Sequence, residues 1–207
     1  MLALPYYREG AQTVDVLVLR EGEGPMADIV ACHGQGRAAL FDVPGLDLHE
    51  ASGWVKTKER PWLNAVDQLP SPFQAGLTPH GRSAHLQTFL GCPMSCNFCE
   101  WGNGHDASGF HSADWLTAEL KAFRARGAPS VMSVDAGLNL NAKAFKNLLV
   151  AEERVGLFSE VPLLAEVYPS TINDDLFSFL QRSKTEIGIG LQSYEPEVLQ
   201  LVQRRAK

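Results

Sequence analysis

The second half of the chain alternates short apolar runs with amphipathic stretches. Four apolar runs predict buried strands, at residues 85–90, 130–135, 161–167 and 186–192. Between and after them, apolar side chains recur at helical spacing and predict helices, at residues 114–126, 142–155, 173–182 and 196–205. Short strands that alternate with helices predict an α/β fold with a parallel sheet and right-handed crossovers.

The first half of the chain has a less regular pattern. It predicts a short strand at residues 14–19, a turn at 20–25, a helix at 26–31 and a second short strand within 40–46. Residues 49–84 are rich in proline, glycine, serine and charge, and they predict a long irregular connection. The expected organisation is therefore a small first region over 1–48, a linker over 49–84 and a main domain over 85–207.

Three of the four cysteines lie close together as Cys92, Cys96 and Cys99, in a C-x3-C-x2-C pattern. Gly91 and Pro93 interrupt regular structure there and allow the backbone to curve around a centre. Three thiolates from one loop can hold three irons of a 4Fe–4S cluster, and the absence of a fourth local cysteine would leave one iron open to a small molecule. Cys32 lies outside the pattern and is expected to be a small buried hydrophobic residue.

The cysteines have two alternative uses. The same thiols with His105 or His111 would make a Cys3His zinc site, although zinc sites usually pair C-x2-C motifs. A disulfide framework is a poor fit, because four cysteines in 207 residues are sparse and no secretory signal precedes them. The spacing favours an iron–sulfur cluster and leaves a non-catalytic structural metal module, with zinc or iron–sulfur, as the alternative.

The charge and hydropathy of the chain argue against nucleic acid and membrane as partners. A formal net charge of −6 disfavours a nucleic-acid backbone as an obligatory partner. Because no apolar run approaches the length of a membrane span, no membrane partner is expected. The N-terminus lacks the apolar core of a signal peptide, so a cytoplasmic location is predicted.

The cysteine loop resembles the C-x3-C-x-aromatic-C signature of the radical S-adenosylmethionine (radical SAM) superfamily, with Phe98 as the aromatic residue. The resemblance implies an enzyme that binds a 4Fe–4S cluster, holds the amino and carboxylate groups of S-adenosylmethionine at the open iron, and cleaves the cofactor reductively to a 5′-deoxyadenosyl radical. It also implies a cofactor contact for Phe98 and an electron donor such as flavodoxin or ferredoxin.

The first half resembles the end of the cobalamin-binding domain, and the linker after it, in cobalamin-type radical SAM proteins. The matching stretches are Glu-Gly-Glu-Gly at 21–24, Val-Pro-Gly-Leu at 43–46 and Leu-Pro-Ser-Pro-Phe at 69–73. The resemblance implies that residues 1–48 are the tail of an α/β cobalamin-binding-like domain and that the full-length protein binds cobalamin. It implies methyl transfer or carbon-skeleton chemistry on a small-molecule or peptide substrate whose identity the sequence does not specify.

Radical SAM proteins use a (β/α)6-type partial barrel, whereas about four βα units are predicted here. The chain is therefore expected to be a fragment, cut at both ends relative to its family. Ligands of parallel sheets bind at the carboxyl ends of the strands, so polar residues at those ends are candidates for the cofactor site.

The resemblance assigns roles to several of these candidates. Asp135 and Gly137 stand where many members carry a Gly-Gly-Glu-type motif, with strand-end turn residues as the alternative. Glu166 is a carboxylate within an otherwise apolar strand and should face a polar cavity or a partner, because burying it unpaired is costly. It is expected to contact the ribose or amino group of S-adenosylmethionine, or else to form a structural ion pair. Gln192 and Ser193 are expected to line the cavity. Arg204 is expected to bind the cofactor carboxylate, with a solvated helix charge as the alternative.

Overall fold

The computed structural model of this chain describes residues 14–19, 21–61, 65–99, 101 and 109–204. The chain divides into two compact units, Met1–Leu63 and Asn64–Lys207. No helix in the described ranges is long and apolar enough to cross a membrane.

The first unit contains a three-stranded antiparallel sheet. Its strands lie in the order β1 (Val16–Val18), β2 (Leu46–Glu50) and β3 (Gly53–Lys56). Helix α1 (Glu23–Ala31) lies between β1 and β2 in the sequence. The small core of this unit consists of the buried residues Val43, Leu46 and Leu48. Cys32 is half-buried and packs against this core.

Several sequence predictions for this unit are wrong in position. The region 40–46 is not a strand, because a 3-10 helix (Arg37–Asp42) occupies its first three residues and β2 begins only at Leu46, after Gly45 with a φ of 85°. The irregular connection expected from residue 49 contains β3, which pairs with β2. The predicted division at residue 48 therefore falls inside a β-hairpin.

The turn expected at 20–25 is also shorter than predicted, because helix α1 begins at Glu23. Pro25 suits the first turn of this helix, where no backbone N–H is needed for a hydrogen bond.

The second unit is built on a parallel sheet, as the sequence predicts. Its strands lie side by side in chain order, each parallel to the next: β4 (Ala84–Leu86), β7 (Val131–Ser133), β8 (Leu163–Glu166) and β9 (Thr185–Gly188). Two short strands, β5 (Phe89–Leu90) and β6 (Gly109–Phe110), form a separate antiparallel pair. The helices that follow the strands are α2 (Ala113–Ala125), α3 (Ala142–Val155), α4 (Asp174–Arg182) and α5 (Pro196–Leu201).

Local signals in the sequence explain where these helices begin and end. The Ser112 hydroxyl accepts a hydrogen bond from the Trp115 backbone at 3.1 Å and caps the start of α2. Asn141 and Asn173 cap α3 and α4 in the same way. Gly156, with a φ of 66°, ends α3 in the left-handed conformation that glycine adopts without cost.

The core lies between the helices and one face of the parallel sheet. Along β8 the side chains alternate, so that Leu163 and Ala165 are buried while Leu164 and Glu166 are exposed. Buried residues of the helices pack against the covered face, among them Leu116, Leu120, Phe123 and Leu148. The pleat therefore places Glu166 on the face opposite the core.

Three predicted elements of this unit differ in extent. The strand expected at 85–90 is interrupted at residues 87–88, where the chain leaves the parallel sheet and enters β5. The strand expected at 186–192 ends at Gly188, and Ile189 and Leu191 are exposed beyond it. The helix expected at 196–205 ends at Leu201.

The Leu-Pro-Ser-Pro-Phe segment packs on helix α2. The Ser71 hydroxyl accepts hydrogen bonds from the backbones of Phe73 and Gln74 at 3.1 and 3.2 Å, which folds the segment into a turn. The ring of Phe73 meets that of Phe123 edge to face at 4.8 Å. Part of the predicted linker is thus a docked piece of the second unit.

Candidate cofactor site

The cysteine loop begins at the base of the β5–β6 pair. Phe89 pairs with Phe110 and Leu90 with Gly109, so the two arms of the segment are joined. Gly91 follows with a φ of 83°, a conformation that favours glycine and turns the chain out of β5. The loop that carries the cysteines is therefore held at its base.

The three cysteines open into one pocket at the carboxyl edge of the parallel sheet. Seven of the predicted site residues line this pocket: Cys92, Cys96, Phe98, Cys99, Asp135, Glu166 and Arg204. Met94, Trp101, Ala136 and Leu140 complete the lining. The ends of β7 and β8, and the segment after α5 that carries Arg204, thus meet the cysteine loop.

The electrostatics of Cys92 show how closely these groups interact. Burial raises the pKa of the Cys92 thiol, and the charges of Cys99 and Cys96 raise it further, whereas Arg204 lowers it. A neighbouring positive charge lowers the pKa of a thiol. The pocket therefore combines three thiols with one guanidinium, that of Arg204.

Three thiols are donors that both an iron–sulfur cluster and a zinc ion accept. Within the described ranges, no three His, Cys, Asp or Glu side chains are arranged to hold one metal ion. A zinc site needs its ligands to converge on one point, whereas a cubane cluster gives each thiolate its own iron. His111 has other partners, because its Nδ1 lies 2.9 Å from the Asp67 carboxylate and its ring stacks on Trp115 at 3.5 Å. His105 lies outside the described residues.

Asp135 is buried directly behind the cysteine loop. One carboxylate oxygen accepts hydrogen bonds from the Thr88 and Phe89 backbones at 2.8 and 3.3 Å. The other accepts from the hydroxyls of Thr88 and Ser133 at 2.7 and 3.2 Å. These contacts hold the chain at the point where β4 gives way to β5, immediately before the cysteines. The sequence signal for them was weak, consisting only of hydroxyl residues in two apolar strands.

The stability of the protein should depend on pH through Asp135. Burial raises its pKa to about 6, although hydrogen bonds from Thr88, Phe89 and Ser133 oppose this shift. Because the folded pKa exceeds the ordinary value of 3.8, the stability that protonation contributes is complete below about pH 4 and is lost as pH rises through about 6. At about 1.4 kcal/mol for each pH unit of that gap, the loss is roughly 3 kcal/mol.

The measurement is urea unfolding of the wild type and of Asp135→Asn between pH 4 and 7. The free energy of unfolding of the wild type should fall relative to that of the variant as pH rises across this window. A difference between the two proteins that stays constant with pH would contradict the assignment.

Glu166 lies at the end of β8 opposite Gly188 of β9. A Cβ at residue 188 would stand 2.5 Å from Glu166 Oε1 and 2.9 Å from its Cδ. Glycine at this position therefore leaves the space that the carboxylate occupies at the pocket. The sequence pattern does not predict this role of Gly188.

Arg204 reaches the pocket from the segment after α5. Its guanidinium donates a hydrogen bond to the Gly190 carbonyl at 2.8 Å and lies over the ring of Tyr168 at 4.3 Å. Asn139 fixes the Tyr168 backbone through two hydrogen bonds of 2.8 Å, one donated and one accepted. Tyr168 and Asn139 were not predicted as site residues. Tyr168 acts through the face of its ring and Asn139 through a distant backbone, and neither contact produces a spacing pattern in the sequence.

The remaining predicted residues, Gly137, Gln192 and Ser193, are not among those that line the pocket. Gly137 packs against Leu140, at the turn where the Leu138 backbone donates to the Glu166 carbonyl at 2.8 Å. Gln192 has a φ of 59° in the segment after β9. The Ser193 hydroxyl accepts a hydrogen bond from the Glu195 backbone at 3.0 Å, at the start of α5.

The fold and pocket define an α/β protein with a three-cysteine loop at the carboxyl edge of its parallel sheet. Comparison with solved structures finds the same fold in proteins described as radical SAM enzymes. The radical SAM methyltransferase TsrM from Kitasatospora setae, with cobalamin and a 4Fe–4S cluster bound, matches with a TM-score of 0.73 and 16% identity, over 95% of this chain and 41% of TsrM. OxsB with aqua-cobalamin and S-adenosylmethionine bound matches with a TM-score of 0.65 and 16% identity, over 92% of this chain and 30% of OxsB.

Two curated methyltransferases are similar to this chain in amino-acid sequence. The 2-(S-pantetheinyl)-carbapenam-3-carboxylate methyltransferase of Streptantibioticus cattleyicolor is 23% identical over 211 positions, which cover 93% of this chain and 30% of that enzyme. The cobalamin-dependent radical SAM methyltransferase TokK of Streptomyces tokunonensis is 29% identical over 100 residues, or 44% of this chain and 15% of TokK. No family model matches.

The predicted resemblance to radical SAM proteins of the cobalamin type is thereby confirmed. The chain spans less than a third of the length of these two curated relatives. The similarity to the solved structures, at 16% sequence identity, is a similarity of fold.

Proposed function

We propose that this chain carries the cluster-binding part of a radical SAM enzyme that transfers a methyl group. One observation carries the proposal: three loop cysteines, two carboxylates and a guanidinium from distant segments line the same pocket. The resemblance to methyltransferases in sequence and fold supports it.

The residues of the pocket fit a 4Fe–4S cluster with one open iron. Cys92, Cys96 and Cys99 would each hold one iron, and the described ranges place no fourth cysteine in the pocket lining. When bound, the cluster would supply the electron that cleaves S-adenosylmethionine and the open iron that chelates its amino and carboxylate groups. The chain itself binds, orients and shields the reactants.

Arg204 and Glu166 are the polar side chains best placed to orient S-adenosylmethionine. Arg204 offers a permanent positive charge and forked donors to the cofactor carboxylate. Glu166 would accept hydrogen bonds from the ribose or the amino group. Phe98 and Trp101, each about half exposed in the pocket lining, would cover the cofactor and limit its contact with water.

The proposed reaction also needs an electron donor, cobalamin and a substrate. An electron donor such as flavodoxin or ferredoxin would reduce the cluster. Cobalamin would be held by the longer protein as the methyl carrier, as the name of TokK and the bound ligand of TsrM suggest for those proteins. The partial barrel, with the site at its carboxyl end, would be completed around a small-molecule or peptide substrate.

Anaerobic reconstitution tests the proposal. The chain is given iron, sulfide and zinc together, and its metal content and absorption spectrum are measured. It is then reduced and incubated with S-adenosylmethionine, and 5′-deoxyadenosine is measured by mass spectrometry, with a sample lacking reductant as control. A brown protein with about four irons per chain and reductant-dependent cleavage is expected. A colourless protein with one zinc would support the structural metal module instead.

Replacing Gly188 by alanine should weaken cofactor binding through Glu166. The added Cβ would displace the Glu166 carboxylate from the space it occupies. Since a hydrogen bond to a charged group contributes about 1.5–3 kcal/mol, the S-adenosylmethionine concentration at half-saturation should rise roughly tenfold or more. The measurement is a titration followed by the electron paramagnetic resonance signal of the reduced cluster.

Gly22→Ala is the matched control, because nothing lies within 4 Å of a Cβ at that position. Its titration should coincide with that of the wild type. Equal midpoints for Gly188→Ala and the wild type would remove Glu166 from the cofactor site.

A further inference from the structure

The cysteine loop is tied to the end of helix α5 by one residue, Asn97, which lies between Cys96 and Cys99. Its side-chain amide donates a hydrogen bond to the Leu201 carbonyl at 2.9 Å. Its backbone N–H donates to the Val202 carbonyl at 3.2 Å. These contacts join segments about a hundred residues apart in the sequence.

The carbonyls that Asn97 uses are those left free where a helix ends. Helix α5 stops at Leu201, and Gln203 takes a φ of 54°, which reverses the chain. The Arg204 backbone then donates to the Leu199 carbonyl at 2.8 Å. This reversal is what returns Arg204 toward the cysteines.

Arg204 is held from two other sides. Its guanidinium bonds the Gly190 carbonyl and lies over the Tyr168 ring. Neither contact involves the cysteine loop, whereas Asn97 supplies a direct hydrogen-bonded link between the loop and the segment that carries Arg204. A shift of this segment would change the separation between the open iron and the guanidinium.

We propose that Asn97 is a positioning residue that sets Arg204 at the correct distance from the cluster for binding S-adenosylmethionine. The inference rests on the proposed function of the pocket. Asn97 is exposed and contributes to no hydrophobic core, so its loss should leave folding and cluster assembly intact. Its effect should be confined to the cofactor.

The test compares Asn97→Ala with Asn147→Ala in the reconstituted full chain. Asn147 also donates its amide to a backbone carbonyl, that of His111 at 2.8 Å, but it does not line the pocket. Iron content should equal that of the wild type in both variants. In Asn97→Ala, the S-adenosylmethionine concentration at half-change of the paramagnetic signal should rise roughly three- to tenfold, as for one lost hydrogen bond. Asn147→Ala should behave as the wild type.

A double-mutant cycle separates positioning from simple capping of α5. If Asn97 acts through Arg204, Asn97→Ala should add less than about twofold to the midpoint of Arg204→Gln, because coupled residues are not additive. Full additivity would overturn the inference, as would loss of iron in Asn97→Ala or an unchanged midpoint. A wild-type cluster that gives no response to S-adenosylmethionine would instead overturn the proposed function, and the inference with it.

Discussion

Alanine in place of Cys92, Cys96 or Cys99 should abolish iron binding in each of the three variants. Each thiolate would hold its own iron, and the other lining residues of the pocket include no cysteine to replace it. Iron and sulfide per chain should fall roughly tenfold or more relative to the reconstituted wild type. The effect is large because a cluster with two protein ligands is exposed to solvent and chelators.

Cys32→Ala is the matched control for this series. Cys32 belongs to the first unit, where it packs beside a small apolar core and its thiol donates weakly to the Ala39 carbonyl at 3.8 Å. Its replacement should leave the iron content unchanged. Loss of iron in Cys32→Ala together with a dispensable loop cysteine would refute the ligand assignment.

Asp135→Ala should cause the second large effect, a loss of stability in the second unit. Thr88 and Phe89 are fully buried, and their backbone N–H groups would lose the acceptor that Asp135 provides. An unsatisfied buried donor costs about 1–3 kcal/mol, so a loss of roughly 3 kcal/mol or more is expected. Because these residues precede the cysteine loop, the cluster should also be lost faster to a chelator.

Urea unfolding measures the first effect, and the rate of iron release measures the second. Asp114→Ala is the matched control, since Asp114 is exposed and pairs with Arg154 at 2.6 Å on the surface. Such pairs contribute about 1 kcal/mol or less. Equal stabilities of the two alanine variants would mean that Asp135 is not the anchor of the loop.

The sequence predicts the second unit well because its signals are local and agree with one another. Helix α3 has the predicted bounds, since an apolar stripe is framed by Asn141 and Gly156. The convergence of Asp135 and Glu166 on the cysteines follows from one rule, that parallel strands end at the same edge. Both residues line the pocket for this reason.

The first unit was predicted less well because its strands depend on partners. Residues 53–56 carry no strong strand pattern, yet they pair with β2 after Gly53 turns the chain with a φ of 113°. Some residues of the site were also not predicted, because their contacts depend on distant parts of the chain. Asn97, Asn139 and Tyr168 act through distant backbone groups or a ring face. Such contacts follow from tertiary packing and leave no periodic trace in the sequence.

The most direct test of the three-cysteine pocket is the electron paramagnetic resonance spectrum of the reduced, reconstituted chain before and after addition of S-adenosylmethionine. If one iron is open and faces Glu166 and Arg204, the cofactor should change the signal at constant iron content, and the change should saturate with concentration. A fully assembled cluster whose signal is identical with and without S-adenosylmethionine would contradict the account.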